Sequence, residues 1–156
     1  MAKKSKDKSI SISNRKARYE YELLDIFTAG IQLQGTEIKS LRVGNANIAE
    51  AYCYVQLSEV WITGMYIAEY QYGSYMNHEP KRLRKLLLNK KEINKISSAL
   101  QNVGITLVPL KLYISDKGWA KIEIALAKGK KLHDKRQDLK QKDDKRQMDR
   151  ALKKFK

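Results

Sequence analysis

Apolar residues in this chain recur at every second position over several short runs, and that spacing constrains the fold more than any other feature. In AEAYCYVQL, Ala51, Cys53, Val55 and Leu57 alternate with Tyr52, Tyr54 and Gln56. The run VWITGMYIAEY follows after a Ser58-Glu59 turn, so the two read as a hairpin. In WAKIEIALA, Ala120, Ile122, Ile124 and Leu126 share one face while Lys121 and Glu123 take the other. ITLVPLKLYI is similar but changes phase. Ile105 and Leu107 have one parity, and Leu110, Leu112 and Ile114 have the other. The flip falls at Pro109, which has no N–H for a ladder, so a bulge or an edge position is expected there. Tyr19, Tyr21 and Leu23 alternate with Glu20, Glu22 and Leu24, and Ile31 and Leu33 with Gln32 and Gln34, which predicts a further strand starting at Tyr19.

Helical spacing interrupts this pattern at two places. In GTEIKSLR, Thr36 is an N-cap type and Ile38 and Leu41 lie one turn apart, before Gly44 and Asn45 end the segment. In NKKEINKISSALQNVG, Asn89 and Glu92 have the spacing of a capping box. Ile93, Ile96, Leu100 and Val103 form a stripe, and Gly104 is the stop. The segment YQYGSYMNHEP reads as a shaped loop. The fold class is therefore mainly β: a small OB-like antiparallel β-barrel of about six strands with two or three short helices. A barrel of this kind removes exposed strand edges and commonly binds oligonucleotides.

The apolar pattern stops at Ala127. Leu132, Leu139, Met148, Leu152 and Phe155 are too sparse to offset backbone ordering, which costs about 1–2 kcal/mol per residue. Nearly every residue there is nevertheless a good helix former. The boundaries follow: a basic N-terminal arm over 1–12, expected to be disordered; the OB-like barrel over 13–127; and a flexible basic C-terminal tail over 128–156, disordered when free and helical against an anionic surface.

Charge locates the partner. The chain of 156 residues has a formal net charge of +15. Lys128–Lys156 holds 13 basic against 5 acidic residues, and Lys81–Lys95 holds 7 basic against Glu92, whereas Tyr19–Pro80 has only Lys39 and Arg42 against eight acidic residues. Basic ends on a nearly acidic body imply an anionic partner, nucleic acid before membrane. No apolar run approaches the roughly 20 residues that span a bilayer. The basic N-terminus has no apolar segment behind it, so it is not a signal peptide. The single cysteine, Cys53, sits at strand spacing, fits a reducing cytoplasm and reads as a buried thiol.

No catalytic or metal site emerges. His78 and His133 are far apart and have no partners at zinc spacing. AKGKKL has Gly-Lys without the leading glycine and following Ser or Thr of a phosphate loop. Asp143-Asp144 sits among lysines and reads as a solvated helix face. The chain is expected to be neither an enzyme nor cofactor-dependent.

Five segments in order, NRKARYEY, AGIQLQGTEIKSLR, NHEPKRLRKLLLNKKEI, GITLVPLKLY and ALAKGKKLHDKRQDLK, resemble the SsrA-binding protein (SmpB) family, the bacterial partners of transfer-messenger RNA. The resemblance runs from Ser13 to about Lys140. It implies an OB-like barrel that holds the tRNA-like domain of transfer-messenger RNA, and a tail that enters the decoding centre and empty mRNA channel of a stalled ribosome. It also implies a monomer without catalytic chemistry, working in the cytoplasm, with an elongation factor carrying the aminoacylated RNA as a further partner. Carried onto this sequence, Asn14, Arg15, Lys16, Tyr19, Glu37, Lys39, Ser40, Arg42, Lys121 and Lys128 are the RNA-binding positions. Tyr19 is a stacking ring or a packed strand residue, and Glu37 an RNA contact or a helix-terminal carboxylate. Gly129, Lys130, Lys131, His133, Asp134, Lys135, Arg136, Asp138 and Lys140 match the tail signatures, with His133 able to stack on a base. Thr28 stands where many members have Glu, and no role is carried onto it. Leu86, Leu87 and Leu88 of RLRKLLL are expected to pack on the barrel. Two other readings remain at this point: a general basic RNA-binding or ribosomal protein, and a small RNA-processing enzyme.

Overall fold

The computed structural model describes residues 10–154, with the side chains of 132–134 outside the description. The alternating runs become nine strands: β1 (Ser11–Ser13), β2 (Tyr21–Ile31), β3 (Ala46–Asn47), β4 (Tyr52–Gln56), β5 (Glu59–Thr63), β6 (Tyr66–Ile67), β7 (Arg84–Leu87), β8 (Ile105–Ile114) and β9 (Ala120–Gly129). The helices are α1 (Arg15–Glu20), α2 (Gly35–Arg42), α3 (Lys90–Leu100) and α4 (Leu132–Lys154), with a short 3-10 turn at Ser74–Met76.

Six strands close into an antiparallel ring in the order β8-β4-β5-β7-β2-β9, with β9 returning to β8. β1 pairs with β8 over 111–113, beyond the stretch that β4 covers, and β3 pairs with β6 as a separate ribbon. The six-strand ring is what the sequence pattern called for. Its interior is filled from one face of each strand: Val60 and Ile62 of β5, Leu86 of β7, Leu107 and Leu112 of β8 (opposite parities, on either side of the phase change), and Ile122, Ile124 and Leu126 of β9. The phase change at Pro109 is a register shift between Pro109 and Lys111 against β9, where the missing N–H lets the ladder slip. Leu110, the residue within the slip, does not share a face with Leu112 as expected; it joins Ala17, Val108, Ala125 and Ala127 in a second cluster beneath α1. The β4–β5 hairpin turns through Leu57 and Ser58, both at positive φ. Cys53 is buried on β4, and burial pushes its thiol well above the ordinary range.

Several expectations are corrected. Tyr19 lies on α1, not on a strand, because the buried Asn14 caps Ala17 N–H and starts a helix that ends before Tyr21. Gln34, not Thr36, caps α2, through a reciprocal bond with Glu37. Val103 is fully exposed beyond the end of α3 and leaves the apolar stripe, whereas the Asn89–Glu92 capping box forms as expected. Leu86 is buried, but the adjacent Leu87 on the opposite parity is exposed.

Both ends of the barrel are longer than expected. Ser11 and Ile12 are paired strand, so the arm assigned to 1–12 is shorter, and its residues 1–9 lie outside the described residues. At the other end Lys128 and Gly129 still pair with Glu22 and Tyr21, so the tail begins at Lys130 rather than Lys128. The tail, expected to be disordered when free, is helix over 23 residues. Its described side chains are exposed from Leu139 onward, and none joins either buried cluster.

Candidate nucleic-acid interface

Two basic segments more than a hundred residues apart in sequence meet at one end of the ring. Glu20 ends α1 and its carbonyl accepts the Lys130 N–H at 2.9 Å. One residue on, Tyr21 and Glu22 pair with Gly129 and Lys128. The ammonium of Lys135, on the first turns of α4, lies 5.9 Å from the Tyr19 ring centroid. Lys130 forms an ion pair with Asp138 across two turns of the tail. Antiparallel pairing of β2 with β9 thus brings the end of α1, at Tyr19 and Glu20, to the root of the tail, at Lys130 and Lys135.

On α1, Arg15, Lys16 and Arg18 are exposed. Lys16 is held by a carboxylate, Glu50 at 2.9 Å, and that hydrogen bond raises its pKa. Asn14 is different in kind: it is buried, donates to the Pro109 and Ile48 carbonyls at 2.9 and 3.3 Å, and accepts from Ala17 N–H at 3.0 Å. All its polar capacity but one lone pair is used within the protein, so it acts by fixing the entry to α1 rather than by touching RNA. That is a correction to its expected place among the contacts.

α2 divides in the same way. Lys39 and Arg42 are exposed one turn apart, whereas Glu37 and Ser40 are buried. Glu37 is 0% exposed and accepts four donors. Oε1 takes Arg84 Nε at 2.7 Å and Arg82 Nε at 2.8 Å, and Oε2 takes Arg82 Nη2 at 2.6 Å and the Gln34 N–H at 2.7 Å. Burial opposes the charge, but Arg82, the Gln34 N–H and Arg84 outweigh it and hold the carboxyl below the usual range. Arg84, also 0% exposed, donates further to Met65 O at 2.7 Å, Pro80 O at 3.1 Å and Arg82 O at 3.1 Å. Burial lowers its pKa and Glu37 offsets part of that. Ser40, expected as an RNA contact, is therefore interior, and of the two readings expected for Glu37 the structure shows the helix-terminal carboxylate, which accepts the Gln34 N–H at the start of α2 and joins α2 to β7.

This ionic knot is what sequence reasoning missed. The signal was present: Arg84 shares the parity of the core residue Leu86, so it had to point inward and needed a partner. His78 is buried as well, with Nε2 2.9 Å from Ile67 O and Nδ1 2.8 Å from the Thr36 hydroxyl. A carbonyl only accepts, so Nε2 is the N–H position and the hydroxyl donates to Nδ1. The basic stretch 81–95 is consequently less free than its charge suggests. Arg82 and Arg84 serve Glu37, Lys85 pairs with Glu59 at 2.6 Å, and Lys95 lies 3.5 Å from Asp25.

Lys121 is half-buried near the start of β9, opposite Gly30 and Tyr113. It lies seven residue steps along the strand from Lys128, roughly 23 Å at the usual rise, so it belongs to a second part of the surface. Thr28 lies directly across from Glu123, so a carboxylate does stand on this patch, on the neighbouring strand. In the tail, Lys131, Arg136 and Lys140 are exposed, Lys130, Lys135 and Asp138 half-buried, and Gly129 exposed. His133 and Asp134 lie within α4, and their side chains lie outside the described residues. Among the described residues no group of His, Cys, Asp and Glu could hold a metal, and no helix is long and apolar enough to cross a membrane.

The arrangement can do one kind of chemistry well: bind a bent polyanion over a rigid ring while a charged helix extends from the same edge. The family model described as SmpB protein matches residues 11–154. An SsrA-binding protein of Phocaeicola vulgatus is 56% identical over 144 residues, covering 92% of this chain and 96% of the relative. Another, of Nostoc sp., is 49% identical over 156 residues, covering 99% of this chain and 100% of its own. A chain in a solved structure described as "tmRNA-SmpB: a journey to the center of the bacterial ribosome" is 43% identical with a TM-score of 0.67, covering 79% of this chain and 86% of that one. With a family match along nearly its whole length and relatives at 49% and 56% identity, this chain is a member of the SmpB family.

Proposed function

We propose that this chain is an RNA-binding adaptor of ribosome rescue. Its ring holds the tRNA-like domain of transfer-messenger RNA and brings it to stalled ribosomes, where α4 occupies the decoding centre and the empty mRNA channel. The observation that carries the reading is the meeting of α1 with the root of α4: RNA held at that edge and a helix projecting from it are fixed relative to one another. Arg15, Lys16, Arg18 and Lys128 supply phosphate contacts there, and Lys39, Arg42 and Lys121 extend them over the ring. Along the tail, Lys131, His133, Arg136 and Lys140 meet ribosomal phosphates and bases. The chain's part is positional, with no covalent step assigned to it, and the ribosome places its work in the cytoplasm.

Truncation after Gly129, which keeps β9 whole, tests this. Binding of transfer-messenger RNA is expected to stay within about threefold, because few phosphates are neutralised by the part removed, while tagging on stalled ribosomes is abolished. Loss of RNA binding by the truncated chain, or equal competition by unrelated structured RNA, would refute the division of labour and leave a general basic RNA-binding protein.

A further inference from the structure

The segment between β6 and β7 exposes its large side chains instead of burying them. Tyr72 is 78% exposed, Tyr75 92% and Met76 72%. Single exposed apolar residues are ordinary, but three within five positions form a patch that calls for a partner. The loop is nevertheless held firmly at its base. The Asn77 side chain brackets Tyr70, accepting its N–H at 3.0 Å and donating to its carbonyl at 2.8 Å. Gly73 N–H adds a bond to the same carbonyl at 2.9 Å. A Cβ at Gly73 would come within 2.7 Å of Asn77 Nδ2, so the bracket needs glycine. Ser74 takes a left-handed φ of +41° within the tight turn. Just beyond, buried His78 pins the chain to α2 and β6. The tyrosines are thus presented on a rigid stem, not left loose.

Their surroundings define the partner. Lys39 of α2 places its ammonium 5.3 Å from the centroid of Tyr70, whose ring meets Tyr72 edge-on at 5.7 Å. Arg42 is exposed one turn further along α2. Ala68 N–H bonds Asn45 O at 2.9 Å, locking the loop's entry to the end of that helix. Exposed Glu69, Glu79 and Lys81 flank the loop, so its aromatic tip is nearly neutral and the cations lie to one side. Flat rings beside phosphate-binding cations are what unpaired bases require, with stacking on the ring and the backbone held by Lys or Arg.

We propose that Tyr72, Tyr75 and Met76, with Lys39 and Arg42, form a platform on which unpaired bases of transfer-messenger RNA stack. It is separate from the edge where α1 meets α4 and it rests on the function proposed above. The ring would then grip its RNA in two places, by charge at one and by stacking at the other.

The test is equilibrium binding of the full chain to the tRNA-like domain of transfer-messenger RNA across a salt series. The variants are Tyr72→Ala/Tyr75→Ala, Tyr75→Phe and Lys39→Ala/Arg42→Ala, each checked for an unchanged melting temperature. The double tyrosine variant is expected to weaken binding roughly 5- to 100-fold at every salt concentration, since base stacking carries little salt dependence. Tyr75→Phe keeps the ring and is expected within about twofold of the parent. Lys39→Ala/Arg42→Ala should lower the salt slope by about 0.7 for each phosphate no longer neutralised. Unchanged affinity in Tyr72→Ala/Tyr75→Ala would overturn the platform, as would weakened binding to ribosomes alone, which would assign the loop to a ribosomal partner. If the parent chain itself shows no preference for this RNA, the functional reading fails first, and the platform with it.

Discussion

Replacing Glu37 by Gln keeps the shape of the side chain and removes only its charge, which isolates what the buried knot contributes. Four donors converge on the two oxygens of Glu37, two on each. An amide offers one acceptor and one NH2, so either flip sets an N–H donor against two others. Arg84 would meanwhile keep its charge at 0% exposure with carbonyls as its remaining partners. Removing one member of a buried ion pair costs about 3–5 kcal/mol. For a chain of this size each kcal/mol moves the midpoint by about 2–4 °C, so a fall of roughly 6–20 °C is expected. Thermal and urea unfolding at pH 7 measure it. The acid limb gives an independent check. The folded carboxyl titrates below its unfolded value of about 4.3, so its stabilisation is complete above that value and drains away as pH falls through the lower folded one. Glu37→Gln should therefore flatten the loss of stability in that window. The double variant Glu37→Gln/Arg84→Met should lose less than the sum of the single changes, because the stranded charge is gone. A loss under about 1 kcal/mol for Glu37→Gln, or strict additivity with Arg84→Met, would refute the claim that the knot is a coupled unit.

Asn14→Ala should cost about 2–4 kcal/mol in urea unfolding, because it removes the cap of α1 and leaves two carbonyls without their donor. RNA affinity measured well below the new midpoint should change less than for Arg15→Ala. Gly64→Ala should lower stability by about 1–3 kcal/mol, since its φ is +74° and a Cβ would meet Glu50 O at 2.8 Å. Hydrogen exchange should be fastest along α4, whose side chains stand mostly in solvent, and slowest at Ile122–Ala127 in β9; protection of the tail equal to that of β9 would contradict its exposure. Truncation after Gly129 should reduce the salt slope of binding to long non-specific RNA, a change that adding α4 as a separate peptide would not reverse.

The local features that could be read from the sequence share one cause. A strand with one buried face shows a period of two, and Ile122, Ile124 and Leu126 had no other arrangement open to them. Proline without an N–H forces a break wherever it meets a ladder, so the slip at Pro109 was fixed by one residue. Asn89 and Glu92 cap a helix through groups three residues apart, and the collapse of apolar spacing after Ala127 marked the start of the tail to within a few residues. The exposure of the cations on α1 and along the tail was also legible, because surface charge needs no partner to be specified.

What only the tertiary structure decided involves groups distant in sequence. Whether Glu37, Asn14 and Ser40 face solvent or interior depends on where Arg82, Arg84, Pro109 and Ile48 fall once the ring closes, and alternation within one segment carries no record of that. Tyr19 went from strand to helix because its environment is set by Asn14, whose own position is fixed by a strand nearly a hundred residues later. The joining of α1 to the root of α4 is likewise a product of β2–β9 register. Chain order specified the parts and their polarity; closing the ring, which is a long-range balance of buried area against ordered backbone, chose which polar groups would hold the protein together and which would be left to meet RNA.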